Sequence, residues 1–196
     1  MQTTPPPTSD PYARGTVIHG FRAAVVDIGG EAALARLAER LPLATRVATI
    51  ESIVLPFEWV PIAHVVAWHE ALWSGAAGAD ERELGRLIGR SIELGLGRFK
   101  SAFFHGVTPG RLVGRAQELW RWQHTHGEVT ASIEGTTAIV MLRDHPYVES
   151  AASRRVTAES YRHIVTMAGG RDVRAAWGDR TEGGRSVLVV QLTWRP

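Results

Sequence analysis

Eight histidines and 20 acidic side chains are the groups in this sequence able to bind metal or move protons, and their spacing decides how far that chemistry goes. His124-x-His126 would set two imidazoles on one side of an extended segment, as some metal sites do. The pair falls at an expected helix end before Gly127, where a solvent-facing histidine, or one in the helix C-terminal dipole, is the reading favoured over a metal site. His64 and His69 are five apart, about 140° around a helix, so they do not share a metal. His69 falls on an apolar helix face, which predicts either a core histidine with one satisfied nitrogen or a ligand contact. An enzyme reading would use His69 or His145 with a carboxylate. No Gly-x-Ser-x-Gly elbow, His-Glu-x-x-His pair or phosphate loop accompanies them. The sequence contains no cysteine, which removes disulfides, cysteine metal sites and thiol nucleophiles. No catalytic residue, metal site or cofactor is therefore assigned. Gly178-Asp179 and Glu182-Gly183-Gly184 place carboxylates beside glycines, as a hairpin connection requires for turning alone.

The aromatic side chains carry more information. Trp59, Trp68, Trp73, Phe99, Phe103, Phe104, Trp120 and Trp122 concentrate on the central helices, and the chain has seven tryptophans in all. Core packing accounts for such rings; so does a lined cavity gripping an apolar or planar ligand. The candidate ligand-pocket residues are His69, Trp73, Phe99, Phe103 and Trp120. Periodicity puts Trp73 and Trp120 on buried faces and Trp68 and Trp122 on the opposite ones, which makes Trp68 and Trp122 candidates for a partner surface or homodimer seam.

The elements that must position these residues read as helices first. After the short apolar start Thr16-Val17-Ile18-His19-Gly20, residues 31–41 carry Leu34, Leu37, Ala38 and Leu41 at helical spacing, with Gly29-Gly30 a turn between two short helices and Pro42 a stop. Pro61 opens a helix bearing Ile62, Val65, Val66, His69, Leu72 and Trp73, ending near Gly75 or Gly78. Asp80 and Glu83 have capping-box spacing ahead of Leu84, Ile88, Ile92, Leu96 and Phe99, and Gly85 and Gly89 share a face suited to close helix approach. Thr108-Pro109 opens a helix through Leu112, Val113, Ala116, Leu119 and Trp120 toward Gly127. The period then changes to two. Val129, Ala131 and Ile133, a turn at Gly135, and Ala138, Val140 and Leu142 predict a hairpin ended by His145-Pro146. Thr157 is the expected cap of a helix with Tyr161, Ile164, Val165 and Ala168, stopped by Gly169-Gly170. A second hairpin pairs Val173, Ala175 and Trp177 with Leu188, Val190, Leu192 and Trp194 across a polar 178–185 connection. Helices segregated from a small antiparallel sheet make the fold class α+β.

Composition bounds the rest. Of 196 residues 44% are hydrophobic and 21% charged, enough for a real core. Basic and acidic side chains nearly cancel at 22 against 20, with no basic stripe, so nucleic acid is not an expected partner. Residues 1–14, with Pro5-Pro6-Pro7 and Pro11, read as a disordered leader without a secretory core, and residues 15–196 as a single ligand-binding-like domain. The apolar stretch 53–73 is interrupted by Pro56, Glu58, Pro61, His64, His69 and Glu70, so no membrane span is expected and the location predicted is cytoplasmic.

The segment from Ala168-Gly169-Gly170-Arg171-Asp172-Val173 to Trp177-Gly178-Asp179, followed by residues 186–194, resembles the closing helix, Gly-Gly, strand, Gly-Asp turn and strand of 4-vinyl-reductase-type ligand-binding domains. Glu83-Leu84-Gly85-Arg86, Thr108-Pro109 and Leu119-Trp120 ahead of Gly127-Glu128-Val129 resemble a large paralogous myxobacterial protein family. Together the resemblance covers residues 15–194. It implies the fold of haem nitric-oxide sensors, vinyl-reductase-type domains and certain vesicle-tethering subunits: an antiparallel sheet packed with helices around an apolar ligand cavity, in proteins that sense or scaffold rather than catalyse. The chain departs from that pattern where it lacks the cysteines of the vinyl-reductase type and the Tyr-x-Ser-x-Arg segment of the haem sensors; Tyr12-Ala13-Arg14 and Tyr161-Arg162-His163 do not supply it. Neither metal nor haem is carried over. The reading that emerges is a non-catalytic module sensing a small apolar molecule or contacting a partner protein, with a scaffolding homodimer whose core is filled, or a histidine–carboxylate enzyme, as alternatives.

Overall fold

The computed structural model describes residues 9–97, 104 and 106–196. The chain divides into two compact units, Met1–Gly97 and Arg98–Pro196. The fold is α+β, as the change of period predicts.

In the first unit, β1 (Tyr12–Arg14) pairs antiparallel with β2 (Trp59–Pro61), joining Tyr12 to Pro61 and Arg14 to Trp59. Order therefore begins before residue 15. The expected leader boundary moves because Ala13 and Arg14 are buried, with the Arg14 guanidinium donating to the Phe57 carbonyl and lying 3.8 Å from the Trp59 ring centre. Helix α1 (Thr16–Ala38) is kinked at Gly30, whose φ of 71° and ψ of 178° only glycine adopts freely, so the Gly29-Gly30 turn is a break between two helical stretches. After α2 (Leu43–Arg46) the chain winds through a π-helical turn, Val47–Glu51, and α3 (Ile62–Ala71) ends in another, Leu72–Ala76. Helix α4 (Glu81–Leu96) is capped by Asp80, whose carboxylate accepts from the Arg82 and Glu83 amides. Glu83 does not complete the box: its carboxylate pairs with Arg86 at 2.6 Å. Helices α1 and α4 cross closely at Gly20 and Gly95, where a Cβ on Gly20 would overlap the Ser91 carbonyl oxygen. Arg90 reinforces the crossing with a two-pronged bond to Asp27 at 2.8 and 2.9 Å.

The second unit opens with α5 (Pro109–Gly114), capped by Thr108, and α6 (Ala116–Gln123). The single helix expected toward Gly127 is broken at Arg115 and stops four residues early, because His124 turns extended. Strands β3 (Glu128–Glu134) and β4 (Thr137–Arg143) form the first hairpin, and β5 (Arg171–Glu182) and β6 (Arg185–Arg195) the second. All pairings are antiparallel, in the order β3-β4-β6-β5. The second turn is only Gly183-Gly184, both with positive φ, so the 178–185 segment expected as a loop is mostly strand. Its polar side chains mark an edge strand's exposure rather than a connection, and two left-handed glycines match the twist of the hairpin. Between the hairpins, α7 (Ala151–Met167) packs across β5. Ser150 caps it, not Thr157, which lies buried in its second turn. Leu142, Leu188, Val190 and Leu192 form the buried face of the sheet.

Candidate functional site

The residues singled out from the sequence fall into separate places. On α3, His69 is buried and meets the Phe21 ring edge-on at 5.5 Å, as a core histidine would. Trp73 is half-buried rather than buried, since the π-helical turn that carries it shifts the phase of the 3.6-residue period. Phe99 and Phe103 lie outside the described residues. Trp120 belongs to the second unit and is buried there.

Trp68 corrects the sequence reading. Helical periodicity predicts it on a partner-facing side, yet it is fully buried, stacked on Phe21 at 6.1 Å, with its indole N–H donating to the Thr49 hydroxyl at 2.8 Å. The reason is a second covering layer: the turn at 47–51 lies over that side of α3, and Thr49 in turn donates to the Thr45 carbonyl at 2.7 Å. Trp122, the other partner-surface candidate, is 36% exposed.

The densest grouping of chemistry lies in the second unit. Where α6 ends, Trp120 and His124 stack at 3.9 Å with an interplanar angle of 17°. His145, after β4, presents its ring edge to Trp120 at 4.9 Å and to His124 at 5.2 Å, and Tyr147 packs on His145 at 4.3 Å. Four flat side chains thus enclose one another. Each is fixed by local backbone: the Trp120 N–H donates to the His126 carbonyl at 2.7 Å, and the Tyr147 amide donates to Nδ1 of His145 at 3.3 Å. Gly127, at a φ of 93°, is where a side chain would strike the Trp120 nitrogen and the His145 ring. The solvent-facing role expected for His124 is therefore wrong. Its four-residue spacing from Trp120, which lets the extended C-cap fold its ring back over the indole, was the available signal.

Neither ring nitrogen of His124 meets a partner in good hydrogen-bond geometry among the described residues, although the nearby Trp120 backbone slightly favours the protonated ring. Burial holds its pKa down at about 3, so the ring is neutral at physiological pH. Burial raises the Tyr147 hydroxyl in the opposite sense. His126 instead shares Nδ1 with the Thr125 hydroxyl at 2.8 Å, and among the described residues no group of three or more His, Asp or Glu is arranged to hold a metal ion. His64, whose pKa burial lowers, meets the Thr45 hydroxyl at 3.0 Å.

No family model matches the sequence, and no curated protein matches it. Solved structures do. A structure solved to examine protein-induced porphyrin distortion and haem redox potential covers 93% of this chain and 95% of its own at a TM-score of 0.65 and 10% identity. An oxygen-binding H-NOX domain related to soluble guanylate cyclases matches over the same shares at 0.63 and 10% identity. A variant of T. tengcongensis H-NOX gives 0.63 over 93% of this chain and 98% of its own, again at 10% identity. The chain has the H-NOX-like fold.

That fold raises the question of haem, whose iron needs an imidazole nitrogen with open space about 2 Å along its lone pair. Both nitrogens of His124, and Nε2 of His145 and His163, are covered by protein atoms. His19 is engaged at Nε2 by the Val54 carbonyl, whereas the threonine hydroxyls occupy only Nδ1 of His64 and His126. His19, His124 and His145 do not fit an axial haem ligand.

Proposed function

We propose that this chain is a non-catalytic sensing module: residues 15–196 act as one ligand-binding-like domain in the cytoplasm that takes a small apolar molecule and reports its presence to a protein partner. The observation that supports it is the fold likeness, which extends over 93% of the chain and 95% of an oxygen-binding domain related to guanylate cyclases. We carry over ligand sensing from that likeness, and neither haem nor oxygen. His69 and Trp73, one helical turn apart on the first unit, would face the ligand, the rings supplying apolar contact and the imidazole an orienting polar atom. Binding would work by population shift, favouring one arrangement of the helices that carry these residues. No helix among the described residues is long and apolar enough to cross a membrane, which suits this location.

Native mass spectrometry of freshly purified protein, followed by thermal shifts against a lipophilic library, tests the reading. A retained small molecule, or a ligand-dependent rise in Tm that His69→Ala abolishes, is expected. A ligand-free protein whose Tm ignores the whole library would overturn it. A scaffolding reading is favoured by one observation: the Trp120, His124, His145 and Tyr147 rings fill their own surroundings. It predicts a library without effect and an intact assembly.

A further inference from the structure

We propose that the apolar surface carried by residues 43–57 joins two copies of this chain. Five of the eight large apolar side chains that are exposed among the described residues come from this short stretch: Leu43 at 65% exposure, Val47 at 42%, Ile53 at 86%, Leu55 at 61% and Phe57 at 48%. Scattered single exposures need no explanation, whereas a concentration of this kind does.

The way the loop is held makes the exposure a built feature. Its backbone faces inward. The carbonyls of Pro56 and Glu58 accept from the amides of Thr16 and Gly15 at 3.0 and 2.8 Å, that of Phe57 from Arg14 at 2.9 Å, and those of Val54 and Thr49 meet the His19 and Arg22 side chains. Gly15 is required there, because a Cβ would run into the Leu55 carbonyl oxygen. Val54 is buried, and the alternation along an extended segment turns Ile53 and Leu55 outward. With these carbonyls committed to residues 14–22, the apolar side chains cannot retreat by a small shift of the loop. A surface ordered before binding loses little entropy on association.

Two features select a second copy as the occupant. The five side chains expose about 500 Å² together, so two copies face to face would bury about 1,000 Å² of their surface, the lower bound of a specific interface and the size of a weak, micromolar dimer. The charges beside them are of both signs: Arg46 pairs with Glu51 at 3.1 Å, and the exposed Glu58 carboxylate accepts from the Leu55 amide at 3.0 Å. A two-fold axis brings this mixed stretch against itself, so each copy offers its partner both a cation and an anion, as an isologous contact allows. An anionic membrane is disfavoured by the excess carboxylate of that rim.

This assignment is independent of the sensing reading, since ligand binding and self-association are measured separately. Sedimentation velocity of the full chain from about 1 to about 200 μM should show a concentration-dependent dimer, and Ile53→Asp with Leu55→Asp should weaken it at least about a hundredfold. Both positions are exposed, and circular dichroism with an unchanged Tm would establish that the double variant folds. Trp122→Asp serves as a control that leaves the dimer intact. A monomer at every concentration, or a dimer indifferent to the double substitution, overturns the proposal. So does a monomer that floats with phosphatidylcholine or phosphatidylserine vesicles and loses them on Ile53→Asp, which would assign the surface to lipid.

Discussion

Replacing His124 by Phe should make the protein more resistant to acid, and by an amount the structure sets. In the folded chain the imidazole is buried against Trp120 with a pKa near 3, whereas an unfolded histidine titrates near 6.5. Between these values the unfolded chain binds a proton that the folded chain does not. Stability therefore rises with pH in that window, is fully present above about 6.5, and falls by about 1.4 kcal/mol for each unit below it. From pH 7.5 to pH 5 the loss attributable to this one ring is about 2 kcal/mol, a figure that depends only on the folded pKa lying well below 5. Phe keeps a flat ring in the stack and removes two buried nitrogens that lack well-formed hydrogen bonds, a buried polar atom without a partner costing about 1–3 kcal/mol. Urea unfolding at pH 7.5 and pH 5, for parent and His124→Phe, measures the difference of differences. The variant should equal or exceed the parent at pH 7.5 and lead it by a further 2 kcal/mol or so at pH 5. Equal losses in the two proteins would show that His124 is solvated or hydrogen-bonded, and the enclosed-ring account would fail.

Gly20→Val forces a side chain into the Ser91 carbonyl at the α1–α4 crossing and should cost about 2–3 kcal/mol or more, read as a lowered urea midpoint; a neutral result would mean the helices are not in contact there. Trp68→Phe removes the indole donor to Thr49 while leaving most of the ring, so a loss of about 1–2 kcal/mol is expected, and Trp68→Asp should abolish folding rather than merely disperse an oligomer. Asp80→Ala leaves the Arg82 and Glu83 amides without their cap and should destabilise by about 1 kcal/mol, largely restored by Asp80→Ser. If a Soret band forms when haem is supplied, it should be unchanged in His124→Phe, because neither ring nitrogen of His124 is open to iron; a band lost with that ring would refute the enclosed-ring account.

The elements were legible where one periodicity dominated. The alternation of Ala138, Val140 and Leu142, and of Leu188, Val190 and Leu192, marks strands whose alternate side chains are buried, and these residues line the sheet. Asp80 and Thr108 announced their helices because a cap is a local bond between neighbours in sequence. The failures share a different cause. Trp68 looked exposed because a helical wheel recognises one core, and α3 is covered also by the turn at 47–51, nearly 20 residues away along the chain. Polar residues after Gly178 looked like a loop because an edge strand tolerates them on its open side, while two glycines suffice to turn the chain. Phase slips at the π-helical turns displaced Trp73, and an extended residue after α6 folded His124 over Trp120.

The same reasoning separates the two kinds of apolar surface on this chain. Tryptophan draws attention in a sequence because it is large, yet its indole N–H must find a partner when buried, and both Trp68 and Trp120 have one in Thr49 and the His126 carbonyl. A donor satisfied by fixed neighbours argues for a permanent place in the core. Ile53, Leu55 and Phe57 have no polar atom in their side chains to betray their role, and nothing in their periodicity separates them from a buried strand. What distinguishes them is how the stretch is anchored: the Val54, Pro56, Phe57 and Glu58 carbonyls are held by His19, Thr16, Arg14 and Gly15, while Val54 turns its side chain into the core between Ile53 and Leu55. A surface of that origin persists in the free protein, so its association should respond to single charged substitutions without a change in fold.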